Sequence, residues 1–325
     1  MAIAISNLSS AEAAQHVRRQ RRLDDAFRYL TLGFALVVLL VLGGVIVALV
    51  RGAWPALSTF GFGFLTTEVW NPVTEKFGAL APIYGTLVTS AIAMVIGIPI
   101  SFGIAVFLTE LAPLWLRRPV GIAVELLAGI PSIIYGIWGF FVLAPILQTS
   151  VQPFLIGTFG KLPLIGLLFR GPPYGIGMLT AGLILAIMVL PFITAIMREV
   201  FESVPPMLKE SAYGLGATTS EVVWQVVLPA TRVGVVGGVI LGLGRALGET
   251  MAVTFVIGNA HRISASLLAP GTTISASIAN EFTEAVGDLY LSSLIALGLI
   301  LFVITFFVLA IAKLLLLRMK RRLGS

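Results

Sequence analysis

Six stretches of this chain are apolar over more than twenty residues each: 30–50, 84–108, 120–143, 176–197, 233–257 and 291–317. An α-helix rises about 1.5 Å per residue, so roughly 20 such residues cross the ~30 Å hydrocarbon layer of a bilayer. Backbone polar groups inside lipid are satisfied only in helices and closed barrels, and unalternating runs of this length predict helices. The expected fold class is an all-α integral membrane protein with six transmembrane helices. Composition agrees. Of 325 residues, 58% are hydrophobic and 11% charged, against about 25% charged in soluble domains. The first stretch exceeds the roughly 7–15 apolar residues of a secretory signal, and no small-residue cleavage pattern follows it, so it is expected to be a retained span.

Charge sets the orientation. With both termini inside the cell, fifteen of the 21 Lys and Arg fall on the cytoplasmic side, from Arg18 to Arg28 and then at Arg117, Arg118, Arg198, Lys209, Arg232, Lys313 and Arg318 to Arg322. Five fall outside: Arg51, Lys76, Lys161, Arg170 and Arg262. Basic residues accumulate on cytoplasmic loops, so cytoplasmic N and C termini are expected. The net charge of +6 thus marks membrane edges rather than a nucleic-acid groove. There are no cysteines, and His16 and His261 are the only histidines. Neither a metal-ligand set nor a catalytic set is expected.

The cytoplasmic segment 198–232 is the most informative. Pro205 and Pro206 interrupt one helix and suit the start of another, and Gly214 and Gly216 permit a sharp turn. Thr218 and Glu221 have capping-box spacing ahead of an apolar run that Pro229 closes. Two short helices joined by a glycine turn are predicted. Within it stand Glu210, Ser211, Ala212, Gly216, Val226, Leu228 and Pro229. At these spacings the segment resembles the coupling loop of the permease subunits of ATP-binding-cassette (ABC) importers, with Ser211 for the family's Ala and Val226 for its Ile. The resemblance implies that this helix docks into a separate ATPase subunit and carries its motion to the spans. No Gly-x-x-x-x-Gly-Lys-Ser/Thr motif surrounds any of the five lysines, so ATP and Mg are expected to be handled by the partner, with no cofactor on this chain.

Arg245 is the one Lys or Arg near the middle of a predicted span. A charge at mid-membrane costs about 2.5–3.5 kcal/mol on insertion scales, so such residues are retained for a reason. Glu249 follows four residues later, on the same face if the helix is continuous. Gly242, Gly244 and Gly248 leave room for close packing or for a lined cavity. Two readings stay open: an anion path, in which Arg245 binds phosphate or carboxylate oxygens and Glu249 loosens its grip, or a structural salt bridge. Pro131 could break the third span and free backbone amides near Ser132 and Tyr135, or merely kink it. Trp54, Trp70 and Trp138 read as interfacial anchors or packing residues.

Further stretches resemble the branch of that family that serves phosphate importers: Trp70-Asn71-Pro72 with Phe77-Gly78, and the runs 83–90, 127–139, 244–253 and 277–284. The resemblance implies the type I ABC importer permease (MetI-like) fold. It implies four kinds of partner: a second homologous permease subunit, two copies of an ATP-binding subunit, an extracytoplasmic phosphate-binding protein, and the bilayer of a bacterial cell membrane. Arg245 and Glu249 match family positions linked to phosphate passage. The expected layout is a cytoplasmic tail (1–29), a first span with a long outer loop (30–79), the permease domain (80–317) and a basic tail (318–325). Rival readings are a permease for sulfate or molybdate, the sister permease subunit, and an ion-coupled transporter, in which the coupling loop would have no role.

Overall fold

The computed structural model describes residues 10–163 and 165–323. Residues 1–9 of the N-terminal tail and 324–325 of the basic tail lie outside the described residues, as do the side chains of Arg18, Arg19, Arg22, Lys320, Arg321 and Arg322. The chain divides into two compact units, residues 1–52 and 53–325. The first unit is occupied by helix α1 (Ser10–Phe60), which runs on into the second unit. In its segment Leu23–Phe60, none of the most apolar residues is buried. A helix apolar on every side belongs in lipid.

Besides single turns at Gly63–Thr66 and Ile165–Phe169, the second unit is built from nine further helices among the described residues. These are α2 (Leu80–Leu111), α3 (Leu114–Ala128), α4 (Ser132–Thr158), α5 (Met178–Glu202), α6 (Pro206–Gly214), α7 (Thr219–Leu247), α8 (Met251–Val256), α9 (Ile274–Glu281) and α10 (Asp288–Leu323). Helices α1, α2, α4, α5, α7 and α10 are long and apolar enough to cross a membrane, which makes the six expected spans.

The centre of the unit is the pair α2 and α5, which pack along their length. Small residues let them approach: Gly182 meets Ile92, and Gly97 meets Val189. On the other flank of α5, Gly234, Gly238 and Gly242 of α7 fall four residues apart and receive Val200, Ile196 and Ile193. Lipid tails are as apolar as leucine, so close van der Waals contact of this kind, rather than water exclusion, associates helices in a bilayer. Of the three glycines anticipated for packing, Gly242 belongs to this seam. Gly244 faces Leu309 of α10, and Gly248 ends α7.

Three local expectations are corrected. The stretch 120–143 is not one helix. It breaks at Gly129–Pro131, and α4 begins at Ser132 and continues to Thr158. Pro131 holds φ −57° and ψ 139°, outside the helical region. It lacks the N–H that a continued helix needs, and it biases the preceding residue away from helix. The Leu127 carbonyl, four residues before Pro131, accepts from the Ile130 N–H at 3.3 Å and from the Tyr135 hydroxyl at 2.7 Å instead. The stretch 233–257 also breaks, at Gly248–Thr250, separating α7 from α8. Finally, Pro229 does not close the run that starts at the capping box. A π turn at Val223–Val227 precedes it, and the helix continues through it to Leu247. The wider turn re-registers the ladder where proline has no N–H to give.

Candidate functional site: a coupling helix and a mid-span arginine

The segment between α5 and α7 folds as its residues dictate. Pro205 precedes α6 and Pro206 occupies its first position, where a missing N–H costs nothing. The helix ends in a turn at Gly216, whose φ of +90° lies in the left-handed region. No atom approaches within 4 Å of where its side chain would be, so backbone conformation, not space, calls for glycine there. The capping box forms as expected: the Glu221 N–H donates to Thr218 Oγ1, and the Thr218 N–H donates to Glu221 Oε2 at 2.7 Å.

The anticipated motif residues divide into two sets. Ala212 and Val226 pack against the cluster of Met197, Phe201, Val222 and Val227, and Leu228 is half-buried. Glu210, Ser211, Gly216 and Pro229 are exposed. No residue of α6 is buried. Met207, 75% exposed, and the exposed Tyr213 lie three residues to either side of Glu210 on α6, and Leu215, 91% exposed, follows just beyond the helix. An exposed acid flanked along its helix by exposed apolar side chains suits insertion into a cleft of another protein.

Arg245 lies in the last turn of α7, its guanidinium 5.9 Å from the ring centroid of Phe192. Phe192 is near the middle of α5, so Arg245 sits at mid-span depth. Past the two breaks, α4 and α8 pack on one another, with Gly136 against Ala252 and Phe255. Arg245 is exposed on the isolated chain, and among the described residues it makes no ion pair with a carboxylate. The expected pairing with Glu249 does not form. Spacing of four places two residues on one face only within one helix, and α7 has already ended at Leu247. Glu249 instead accepts from the Ala252 N–H at 3.3 Å, at the start of α8.

At the end of the unit formed by loops 61–79 and 257–287, one acid gathers groups from three segments. Glu281 Oε2 accepts from Trp70 Nε1 at 2.5 Å and from the Tyr290 hydroxyl at 2.6 Å, while Oε1 lies 2.7 Å from His261 Nε2. Trp70 stacks on His261 with ring centroids 5.1 Å apart, and Phe77 stacks on Tyr290. Trp70 is thus a packing residue of this hub. Burial works against the Glu281 charge, but the hydrogen bonds from His261, Tyr290 and Trp70, with the charge of His261, outweigh it and hold the carboxyl below the ordinary carboxylate range. A lowered folded value means the ionised form stabilises the hub above the ordinary value of about 4.3, and that this contribution is lost as pH falls through the folded value. Amide protection factors across residues 67–78, with the intrinsic pH dependence of exchange divided out, are therefore expected to fall as pH drops below about 4. Glu281→Gln is expected to exchange faster at pH 7 and to lose that acid-induced change.

Sequence reasoning missed this hub, because its members are joined only by the fold. The shared aromatic and acidic character of loops 61–79 and 257–287 was the available signal.

A family model described as "Binding-protein-dependent transport system inner membrane component" matches residues 97–321. A phosphate transport system permease protein of Mesorhizobium japonicum is 68% identical over 309 residues, covering 95% of this chain and 94% of its own length. A protein of the same description from Pasteurella multocida is 61% identical, covering 92% and 93%. Among solved structures, a chain of a bacterial alginate ABC transporter, in complex with an alginate pentasaccharide-bound periplasmic protein, aligns with a TM-score of 0.59. Identity is 18%, with 94% of this chain and 99% of that one covered. That likeness carries the fold alone.

Proposed function

The chain belongs to the family of binding-protein-dependent transport system inner membrane components, and on that premise we propose that it is the transmembrane permease subunit of an ABC importer for inorganic phosphate. The observation that carries this reading is the exposed coupling helix α6, with Glu210 uncovered among apolar side chains. Such a surface is explained by a partner that grips it, and a permease without a nucleotide motif of its own needs that partner.

Phosphate arrives from an extracytoplasmic binding protein. This chain and a second, homologous permease subunit line a path between them, and two copies of an ATP-binding subunit dock on the cytoplasmic side. ATP binding by those subunits draws the two coupling helices together and opens the path outward; hydrolysis of ATP with Mg resets it. Arg245, at mid-span depth and without a carboxylate partner among the described residues, meets the anion through its planar fork of N–H donors. Glu249 lines the same path from the helix break and fixes the start of α8. Residues 80–317 form the permease domain, and 30–79 are the first span and outer loop. The chain resides in a bacterial cell membrane with the tails 1–29 and 318–325 in the cytoplasm, in keeping with the excess of Lys and Arg on that side.

Glu210→Ala tests the grip. Loss of a charged, interface-centred contact costs about 2 kcal/mol or more. Co-purification of the ATP-binding subunit with the permease pair is expected to weaken by at least tenfold while the helical content of the chain is unchanged. Full retention of the ATP-binding subunit by Glu210→Ala would count against α6 as the docking element.

A further inference from the structure

With no residue of its own buried, α6 is poorly held by apolar packing. A buried polar contact holds it instead. Lys209 Nζ lies 2.6 Å from Glu110 Oε1, with the two side chains only 18% and 6% exposed, and Nζ also donates to the Phe201 carbonyl at 3.3 Å. Glu110 belongs to the π turn Phe107–Leu111 that ends α2, beside buried Leu108 and Thr109. A carboxylate this far from water carries a desolvation penalty of about several kcal/mol, offset only while its ammonium partner stays in place. Separating the two is therefore costly. The other ion pairs at this end behave differently. Arg198 reaches Glu125 and Glu202, whose side chains are 52% and 60% exposed, and water replaces such contacts at little cost.

What Glu110 holds on to is one long helix, unbroken through the interior Pro99. Helix α2 is continuous from Leu80 to Leu111, roughly 48 Å at 1.5 Å per residue. Its far end is clamped as firmly as its near end. Thr86 Oγ1 accepts the Ile274 N–H at 3.0 Å, and Gly85 lies against the Thr272 carbonyl. Thr272 and Ser277 share a hydrogen bond of 2.9 Å beside it.

We propose that the Lys209–Glu110 ion pair is the joint through which movement of the coupling helix is delivered to α2, and along α2 to the segment 272–277 at the opposite end. Both are positioning residues, since neither touches phosphate or nucleotide. The inference rests on the proposed function, because a lever needs an ATPase to move it. It adds that α6 and the end of α2 travel as one body, whereas α3 slides against α5 across the exposed Arg198–Glu125 pair.

The chain has no cysteines, which permits a reversible test. Lys209→Cys with Glu110→Cys is assembled with partner subunits free of reactive thiols. The two thiols are bridged by a bifunctional methanethiosulfonate of matching length and released again by reductant. The readout is phosphate taken up per ATP hydrolysed. With the thiols free, that ratio is expected to fall at least tenfold while hydrolysis continues; with the bridge in place it returns towards the wild-type value. A wild-type ratio with free thiols would overturn the proposal, and so would a bridged protein that remains uncoupled. Should the double variant not assemble, the exchanged pair Lys209→Glu with Glu110→Lys decides the matter. A ratio near wild type, with each single change uncoupled, supports the joint, and any other pattern overturns it. Absence of phosphate uptake by the wild-type assembly would refute the proposed function itself, whatever the joint does.

Discussion

Arg245→Ala is expected to lower ATP-dependent phosphate uptake about a hundredfold. Hydrogen bonds to charged groups contribute about 1.5–3 kcal/mol each, and a guanidinium fork offers two in parallel to an oxyanion. Losing both amounts to about 3 kcal/mol, and every 1.4 kcal/mol or so is a factor of ten. Arg245→Lys keeps the charge and loses the fork, so its uptake is expected between the two, about tenfold down. The ATPase subunits should still bind, because Arg245 lies at the depth of Phe192, far along the span from α6. The thermal stability of the isolated chain should change little. Its recorded contact in the fold is the face of Phe192, worth about 0.5–1 kcal/mol at an exposed site. Uptake that survives Arg245→Ala would mean that the guanidinium orients helices rather than meets the anion.

Gly85→Ala carries the largest expected effect on the fold. A Cβ at Gly85 would fall on the Thr272 carbonyl oxygen, with more of the Thr272 backbone just behind it. A side chain could rotate away from such an intrusion; a backbone carbonyl held by its neighbours cannot. The Thr86 to Ile274 hydrogen bond pins the segment on the next residue, and Thr272 is itself bonded to Ser277. Overpacking commonly costs about 1–3 kcal/mol and more where backbone must move, so a loss of about 3 kcal/mol or more is expected. In detergent this should lower the thermal midpoint by on the order of 5–10 °C and reduce the recovered protein. Gly103→Ala is the matched control. It lies in the same helix with no atom within 4 Å of the new methyl, and its midpoint should rise slightly or stay, since alanine is the better helix former. Equal midpoints for the two variants would show that the segment 272–277 yields more readily than its contacts suggest.

The contrast between these two positions also explains what could be read from sequence. Six spans were legible because apolar length is a property of a window, and a window survives one proline. Pro131 announced a break or a kink without deciding between them, whereas the break at Gly248–Thr250 was not legible, because it depends on two or three residues whose effect a window averages away. That is why Arg245 and Glu249 looked like a pair: the i to i+4 rule holds only where the helix persists, and Gly248 ends it. The capping box of Thr218 and Glu221 was legible for the opposite reason, since its contacts span three residues and need no fold around them. Lys209 with Glu110, Trp70 with Glu281 and Thr86 with Ile274 lie between 99 and 211 residues apart. Nothing local announces such contacts. The glycines of α7 were half legible. Their four-residue spacing marks a packing face, but only the fold shows that Gly234, Gly238 and Gly242 face α5.

The central claim is that this chain passes phosphate at the expense of ATP hydrolysed by a partner. It is tested most directly in membrane vesicles that hold this chain, its sister permease and the ATP-binding subunits, supplied with the binding protein and radiolabelled phosphate, with sulfate and molybdate measured alongside. Accumulation of phosphate that requires ATP, the ATP-binding subunit and the binding protein together, with neither other anion taken up, is the expected result. Uptake that proceeds equally without ATP or without the ATP-binding subunit, or ATP-driven uptake of sulfate or molybdate in place of phosphate, would contradict it.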